Sequence, residues 1–130
     1  MSGIETRQAR RTRTGGHAFA AGQLAEDQVA AHYRAAGCAV LARRWRGAAG
    51  EIDLVIGDGD TIVFVEVKAA ATHAAAAGRL GRRQMDRLCR AACEYCAALP
   101  AGQETAMRLD AALVDGLGRI EILRDAFGQA

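Results

Sequence analysis

Two β-rich runs, Glu51 to Ile56 and Thr61 to Lys68, flank the tetrapeptide Gly57-Asp58-Gly59-Asp60, and this segment restricts the fold more tightly than any other. Branched aliphatic residues favour a pleated strand, and an Asp-Gly pair between two such runs predicts a hairpin. A loop of two or four residues centred there pairs Ile56 with Thr61, Asp53 with Phe64 and Glu51 with Glu66. Paired residues share a face and side chains alternate along a strand, so Glu51, Asp53, Glu66 and Lys68 all project to one side of the sheet. In this register Asp53 and Glu66 are diagonal neighbours, roughly 7–8 Å apart at the backbone, within reach of one shared cation. A one-residue slip would send them to opposite faces, so the expectation depends on the turn.

Lys68 is the only lysine among seventeen basic residues. A compact ammonium group can contact a water or a phosphate oxygen as a point charge, where arginine presents a wide planar fork. Its position two residues after Glu66 suits a chemical role. The plain structural alternative is a strand-end ion pair.

The 130 residues suit one domain with a single core. No apolar run of membrane-spanning length occurs, and the N-terminus lacks the pattern of a secretory signal, so a soluble, cytoplasmic protein is expected. Cys89, Cys93 and Cys96 fall at i, i+4 and i+7 of one helical segment. That is the spacing of a buried stripe, and with Cys38 they read as small hydrophobes in a reducing compartment rather than as a zinc site. A net charge of +2 does not by itself require a nucleic-acid partner.

Residues 1–16 carry four arginines with almost nothing to bury and are expected to form a disordered basic arm. Residues 17–130 then make up the single folded domain. A first helix is predicted over Phe19 to Ala36, with Phe19, Leu24, Val29 and Tyr33 recurring at helical spacing and Gly37 ending it. Cys38 to Trp45 reads as a strand, Gly47 to Gly50 as a loop, and Ala69 to Gly81 as a mobile loop without periodic signal. A second helix over Arg82 to Leu99 has a core stripe of Met85, Leu88, Cys89, Ala92, Cys96 and Leu99, and carries Arg83, Arg87 and Arg90 on its other side. Met107 to Val114 and Arg119 to Leu123 read as strands around the turn Asp115 to Gly118.

Glu51, Asp53 and Glu66 against a single lysine leave an acidic patch, and crowded carboxylates must be compensated. A bound divalent cation does so most simply. Hard carboxylate oxygens without adjacent cysteine or histidine favour Mg²⁺ or Mn²⁺, and such ions with open water positions suit phosphoryl substrates. Asp53 and Glu66 are the expected ligands, with Lys68 orienting a water or stabilising developing charge.

Gly50-Glu51-Ile52-Asp53-Leu54-Val55 followed by Phe64-Val65-Glu66-Val67-Lys68 resembles the signature of the uncharacterised YraN family, placed in the PD-(D/E)xK nuclease-like superfamily of restriction endonucleases and Holliday-junction resolvases. The resemblance runs from Gly22 to Phe127 and includes Gly22 with Glu26, Gly37, Trp45-Arg46 and Arg108-Leu109-Asp110. It implies an α/β, restriction-endonuclease-like fold with a mixed central β-sheet flanked by α-helices. It also implies Asp53 and Glu66 as metal ligands, Lys68 as the catalytic lysine and Glu26 as an acid reaching the metal site from the first helix. Many resolvase-like enzymes dimerise, which brings a homodimer into consideration. Two departures stand out: Ala69-Ala70-Ala71 where a basic residue is expected after the lysine, and Gln84 where a lysine is common.

The expectation is therefore a Mg²⁺- or Mn²⁺-dependent endonuclease acting on DNA or a branched nucleic acid, with Glu51 supporting the site. Arg43, Arg44, Arg46, Arg79, Arg82 and Arg83, with Gln84, are its candidate phosphate contacts. The alternatives are a nucleic-acid-binding module that no longer cleaves and a protein-interaction module on the same scaffold.

Overall fold

The computed structural model describes residues 22–126. The arm expected over residues 1–16 and the Phe19 start of the first helix lie outside them. Helix α1 occupies residues 22–35. It is followed by β1 (Ala39–Arg46), β2 (Glu51–Asp58), β3 (Thr61–Ala69), α2 (His73–Ala77), α3 (Arg82–Ala97), a 3-10 turn at Gly102–Glu104, β4 (Met107–Val114) and β5 (Ile120–Leu123). The strands form one mixed sheet in the order β1-β2-β3-β4-β5, with β3 and β4 parallel and every other neighbouring pair antiparallel. Helices cover both faces. The architecture is α/β and consistent with a restriction-endonuclease-like fold.

Alternation along the central strands divides the apolar residues between two cores. Leu54, Ile56, Val63, Val65, Ala112 and Val114 pack against Ala25, Val29, Ala30 and Tyr33 of α1. Val55, Phe64 and Leu109 face Leu88, Ala91, Ala92 and Cys96 of α3. On that side Tyr95 meets Phe64 and Trp45 edge to face, with ring centroids 5.5 Å and 5.3 Å away. Ile52 breaks the alternation, since it joins the α3 cluster whereas Leu54 and Ile56 join the α1 cluster. The break falls at Asp53.

The hairpin register differs from the expected one by two residues. Asp58 pairs with Thr61 and Leu54 with Val65, leaving only Gly59-Asp60 as the loop. Gly59 takes φ +60°, the left-handed conformation that a two-residue hairpin turn needs and glycine adopts without cost. β2 thus runs on through Gly57, whose bare Cα leaves room for Leu41; a Cβ there would lie 3.3 Å from Leu41 Cδ1. A shift of two keeps the parity of the pairing, so the paired side chains from Leu54 to Val65 stay on their expected faces, and only Ile52, beyond the ladder, departs. The pairing stops at Leu54 and Val65, so Asp53 and Glu66 lie just beyond its end rather than as a diagonal pair within it.

Three further expectations are corrected. Leu24 is 58% exposed and Ala25 takes its place in the core stripe, because the small residue lets α1 lie closer to the sheet. The segment read as a loop between Ala69 and Gly81 contains α2, started by Thr72 Oγ1 accepting from Ala75 N at 3.0 Å. Four consecutive alanines carry no polar and apolar contrast, so the helix leaves no periodic trace. The cysteine stripe holds only in part: Cys96 is buried, 3.9 Å from Met107 Sδ, but Cys93 is exposed. Among the described residues no helix is long and apolar enough to cross a membrane.

At the end of the sheet near the β2–β3 turn, Asp110 is buried with 0% exposure. Tyr33 Oη donates to its Oδ2 at 2.8 Å, Arg108 Nε to its Oδ1 at 2.9 Å and Asp125 N to its Oδ1 at 3.0 Å. Burial first, and then the hydrogen bond to Asp110, raises the Tyr33 pKa, so the phenol remains a donor. The four groups tie α1 and the C-terminal segment to β4.

Candidate active site

The β2–β3 ladder ends at Leu54 and Val65, and there the side chain of Asp53 replaces a backbone acceptor: Val67 N donates to Asp53 Oδ2 at 2.8 Å. The two strands part around this bond. In the opening, Glu51, Asp53 and Glu66 line a cavity of about 220 Å³ with Gln84, Arg87 and Leu88 of α3. Lys68 Nζ lies 3.2 Å from Glu66 Oε2 at its side. The tertiary structure thus brings together the four residues that alternation places on one face.

Three of the four acids at and beside the cavity are ion-paired. Glu66 is paired with Lys68, Glu26 with Arg44 at 3.0 Å and Glu51 with Arg46 at 3.1 Å. Asp53 makes no ion pair among the described residues and is held by the Val67 amide alone. Burial, and next the charge of Glu66, push its pKa up to about 7, with Glu26 adding to the rise. Burial also raises Glu66, against the opposing pull of Lys68 and Arg87. Two partly desolvated carboxylates sharing one opening are the arrangement that a proton or a cation relieves.

The donor set suits one kind of ion. Mg²⁺ and Mn²⁺ keep most of their waters and are commonly held by one or two carboxylates together with substrate oxygens. Asp53 and Glu66 supply that number. Glu26 stands within electrostatic reach of both, although its carboxylate is engaged by Arg44. Among the described residues no group of three or more His, Cys, Asp or Glu side chains is gathered to hold a metal by protein ligands alone.

The arginines expected to meet phosphate divide into two sets. On β1, Arg43 is paired with Asp27, Arg44 with Glu26 and Arg46 with Glu51, and Trp45 packs against Tyr95. That cluster neutralises α1 and the β2 terminus. Arg79 Nη1 donates to Ala69 O at 2.8 Å, while Arg82 and Arg83 are exposed at the start of α3 and Gln84 reaches the cavity. Arg87 is exposed, as its place opposite the core stripe predicts, and it also lines the cavity beside the carboxylates, which that reading did not include. The available signal was its spacing from Gln84, i to i+3, which places both on one helical stripe.

The model of the uncharacterised protein family UPF0102 matches residues 25–114. The chain is 59% identical over 107 residues to a UPF0102 protein of Cereibacter sphaeroides, covering 82% of this chain and 92% of that one. It is 54% identical over 108 residues to a UPF0102 protein of Ruegeria pomeroyi, covering 83% and 88%, and 44% identical over 117 residues to one of Dinoroseobacter shibae, covering 90% and 84%. With Asp53, Glu66 and Lys68 gathered where its two core motifs part, the chain belongs to the UPF0102 family, whose YraN signature those motifs resemble.

Proposed function

We propose that this protein is a metal-dependent nuclease-like protein of the PD-(D/E)xK superfamily, hydrolysing phosphodiester bonds in DNA or a branched nucleic acid. One observation carries the reading: Asp53 is a partly buried carboxylate that forms no ion pair among the described residues, beside a second carboxylate that the only lysine partners. Asp53 and Glu66 would hold Mg²⁺ or Mn²⁺, with Glu26 supporting them from α1. When bound, the ion supplies a Lewis acid for the phosphate and lowers the pKa of a water.

The protein's own groups do the rest. Lys68 sits on the strand that carries Glu66, so one backbone fixes the spacing of ammonium and carboxylate. From there the ammonium can donate to an attacking water or to a phosphoryl oxygen as negative charge accumulates. The Val67 amide holds Asp53 Oδ2 and leaves Oδ1 directed elsewhere. The hydrophobic packing of Ile52, Val55, Phe64 and Leu88 on the same side of the sheet limits water on the protein side.

Purified protein with Mg²⁺ or Mn²⁺ should nick duplex, single-stranded or branched DNA, followed as product bands against time. Asp53→Ala and Lys68→Ala should each reduce the rate by about 10²-fold or more. Activity that survives both substitutions would belong to a contaminant and remove the reading.

A non-catalytic nucleic-acid-binding module is the second reading. It is favoured by the ion-paired state of Arg43, Arg44 and Arg46 and by the alanines after Lys68. Salt-dependent binding without cleavage, indifferent to Lys68→Ala, would select it.

A further inference from the structure

We infer that Arg87 is the residue that grips a substrate phosphate beside Asp53 and Glu66, and that its grip on the nucleic-acid backbone is independent of sequence. The inference rests on the nuclease-like reading above and identifies where that site takes its substrate. Arg87 lines the same cavity as Glu51, Asp53 and Glu66, yet forms no ion pair with a described carboxylate. The arginines of β1 are committed to Asp27, Glu26 and Glu51.

The position of Arg87 is built into the backbone beneath it. A Cβ at Gly50 would lie 2.7 Å from Arg87 Cδ and 3.0 Å from its Cγ, so the stem crosses directly over that glycine. Gly50 also takes φ +147°, which side-chain-bearing residues rarely adopt. The 47–50 loop is fastened to the same helix further along: Ala48 N and Ala49 N donate to the two carboxylate oxygens of Glu94 at 2.9 Å and 3.1 Å. Those two bonds hold the Glu94 carboxyl below the usual range. Arg87 and Glu94 are i and i+7, two turns apart on one stripe of α3. The loop before β2 thus lies along α3 and channels the arginine toward the first residues of that strand.

An anionic backbone approaching Asp53 and Glu66 meets repulsion from both, and a facing cation is required to hold it. A guanidinium presents paired donors that match two phosphate oxygens. Arg87 supplies the charge that Ala69, Ala70 and Ala71 do not. Arg83 and Arg90, one turn before it and nearly one turn after, are exposed and continue the row along α3, as a phosphate backbone would need.

The test is equilibrium binding of a fluorescent duplex and a fluorescent branched DNA across a salt series without divalent cation, together with thermal melting. Arg87→Ala should weaken binding about 5- to 10-fold and reduce the slope of log affinity against log salt by about one. Its melting temperature should stay close to the wild type, because Arg87 is exposed and acts on Glu66 through solvent-screened charge rather than an ion pair. Arg87→Lys should restore the slope but only part of the affinity. Unaltered affinity and slope in Arg87→Ala, with the wild type binding, would overturn the assignment of Arg87 alone. A fall in melting temperature matching the loss of binding would overturn it too, by making Arg87 a structural counter-charge. A wild type that neither binds nor cleaves any of these substrates would remove the nuclease reading and this inference with it.

Discussion

Asp53→Asn is expected to stabilise the protein at pH 8 and to change its stability little at pH 4. Burial, and next the charge of Glu66, push the native carboxyl up to about 7 from an ordinary 3.8, so the folded state binds this proton more tightly than the unfolded one. Stability contributed by such a group is intact below the unfolded value, declines as pH rises through the interval from 3.8 to about 7, and is fully lost above it. Each pH unit across that interval costs about 1.4 kcal/mol at most, so relief on the order of 2–4 kcal/mol is expected from the neutral amide. Asparagine is nearly isosteric, and its oxygen can still accept from Val67 N. Urea unfolding at pH 4, 6 and 8 should show the midpoint difference opening between the first two and levelling at the third. An unchanged difference between the Asp53→Asn variant and the wild type at all three values would mean that Asp53 is adequately solvated.

The same strain predicts a response to metal. Millimolar Mg²⁺ or Mn²⁺ should raise the wild-type melting temperature at pH 8, by binding the native state alone, and should do so much less in the asparagine variant. A chelator should reverse the shift. A rise of equal size in both proteins would place the ion elsewhere.

Asp110→Ala is expected to cost about 3–5 kcal/mol, a large share of the roughly 5–15 kcal/mol typical of a domain. Removing this carboxylate takes the buried partner from the Arg108 guanidinium and the Tyr33 hydroxyl, and the side-chain acceptor from the Asp125 amide. Asp58 Oδ2 lies 3.6 Å from Arg108 Nη1 and can absorb part of the charge, which keeps the effect within that range. Tyr33→Phe deletes only one hydrogen bond and should cost about 1 kcal/mol. Chemical denaturation with a common slope separates the two. An alanine variant that loses no more than the phenylalanine one would show that the network is not the tie between α1, β4 and the C-terminal segment.

Much of this fold can be read from local patterns. The hairpin is evident from its branched runs and the Gly59 turn, and the α3 stripe from Leu88, Ala92 and Cys96. Alanine is where the reading fails: α2 is hidden because His73 to Ala77 has no contrast to repeat, and Ala25 is passed over for the bulkier Leu24. The β1 arginines look like a phosphate patch because a chain of letters does not show that Asp27 and Glu26, on another helix, stand against them. Arg87 is exposed as the pattern suggests, but its place at the cavity is not legible, since its stem passes over Gly50 in the loop that Glu94 fastens, which the order of residues alone does not bring together.

Taken by itself, the amino-acid order determined that Asp53, Glu66 and Lys68 share one side of a sheet, because strand side chains alternate and the two-residue error in register preserves their parity. Which acids are neutralised was decided only by tertiary structure, as β1 brings cations to Glu26 and Glu51 and β3 one to Glu66, but none of the described residues forms an ion pair with Asp53. Parity is a local property of the backbone, whereas charge compensation depends on distances between elements that only packing sets.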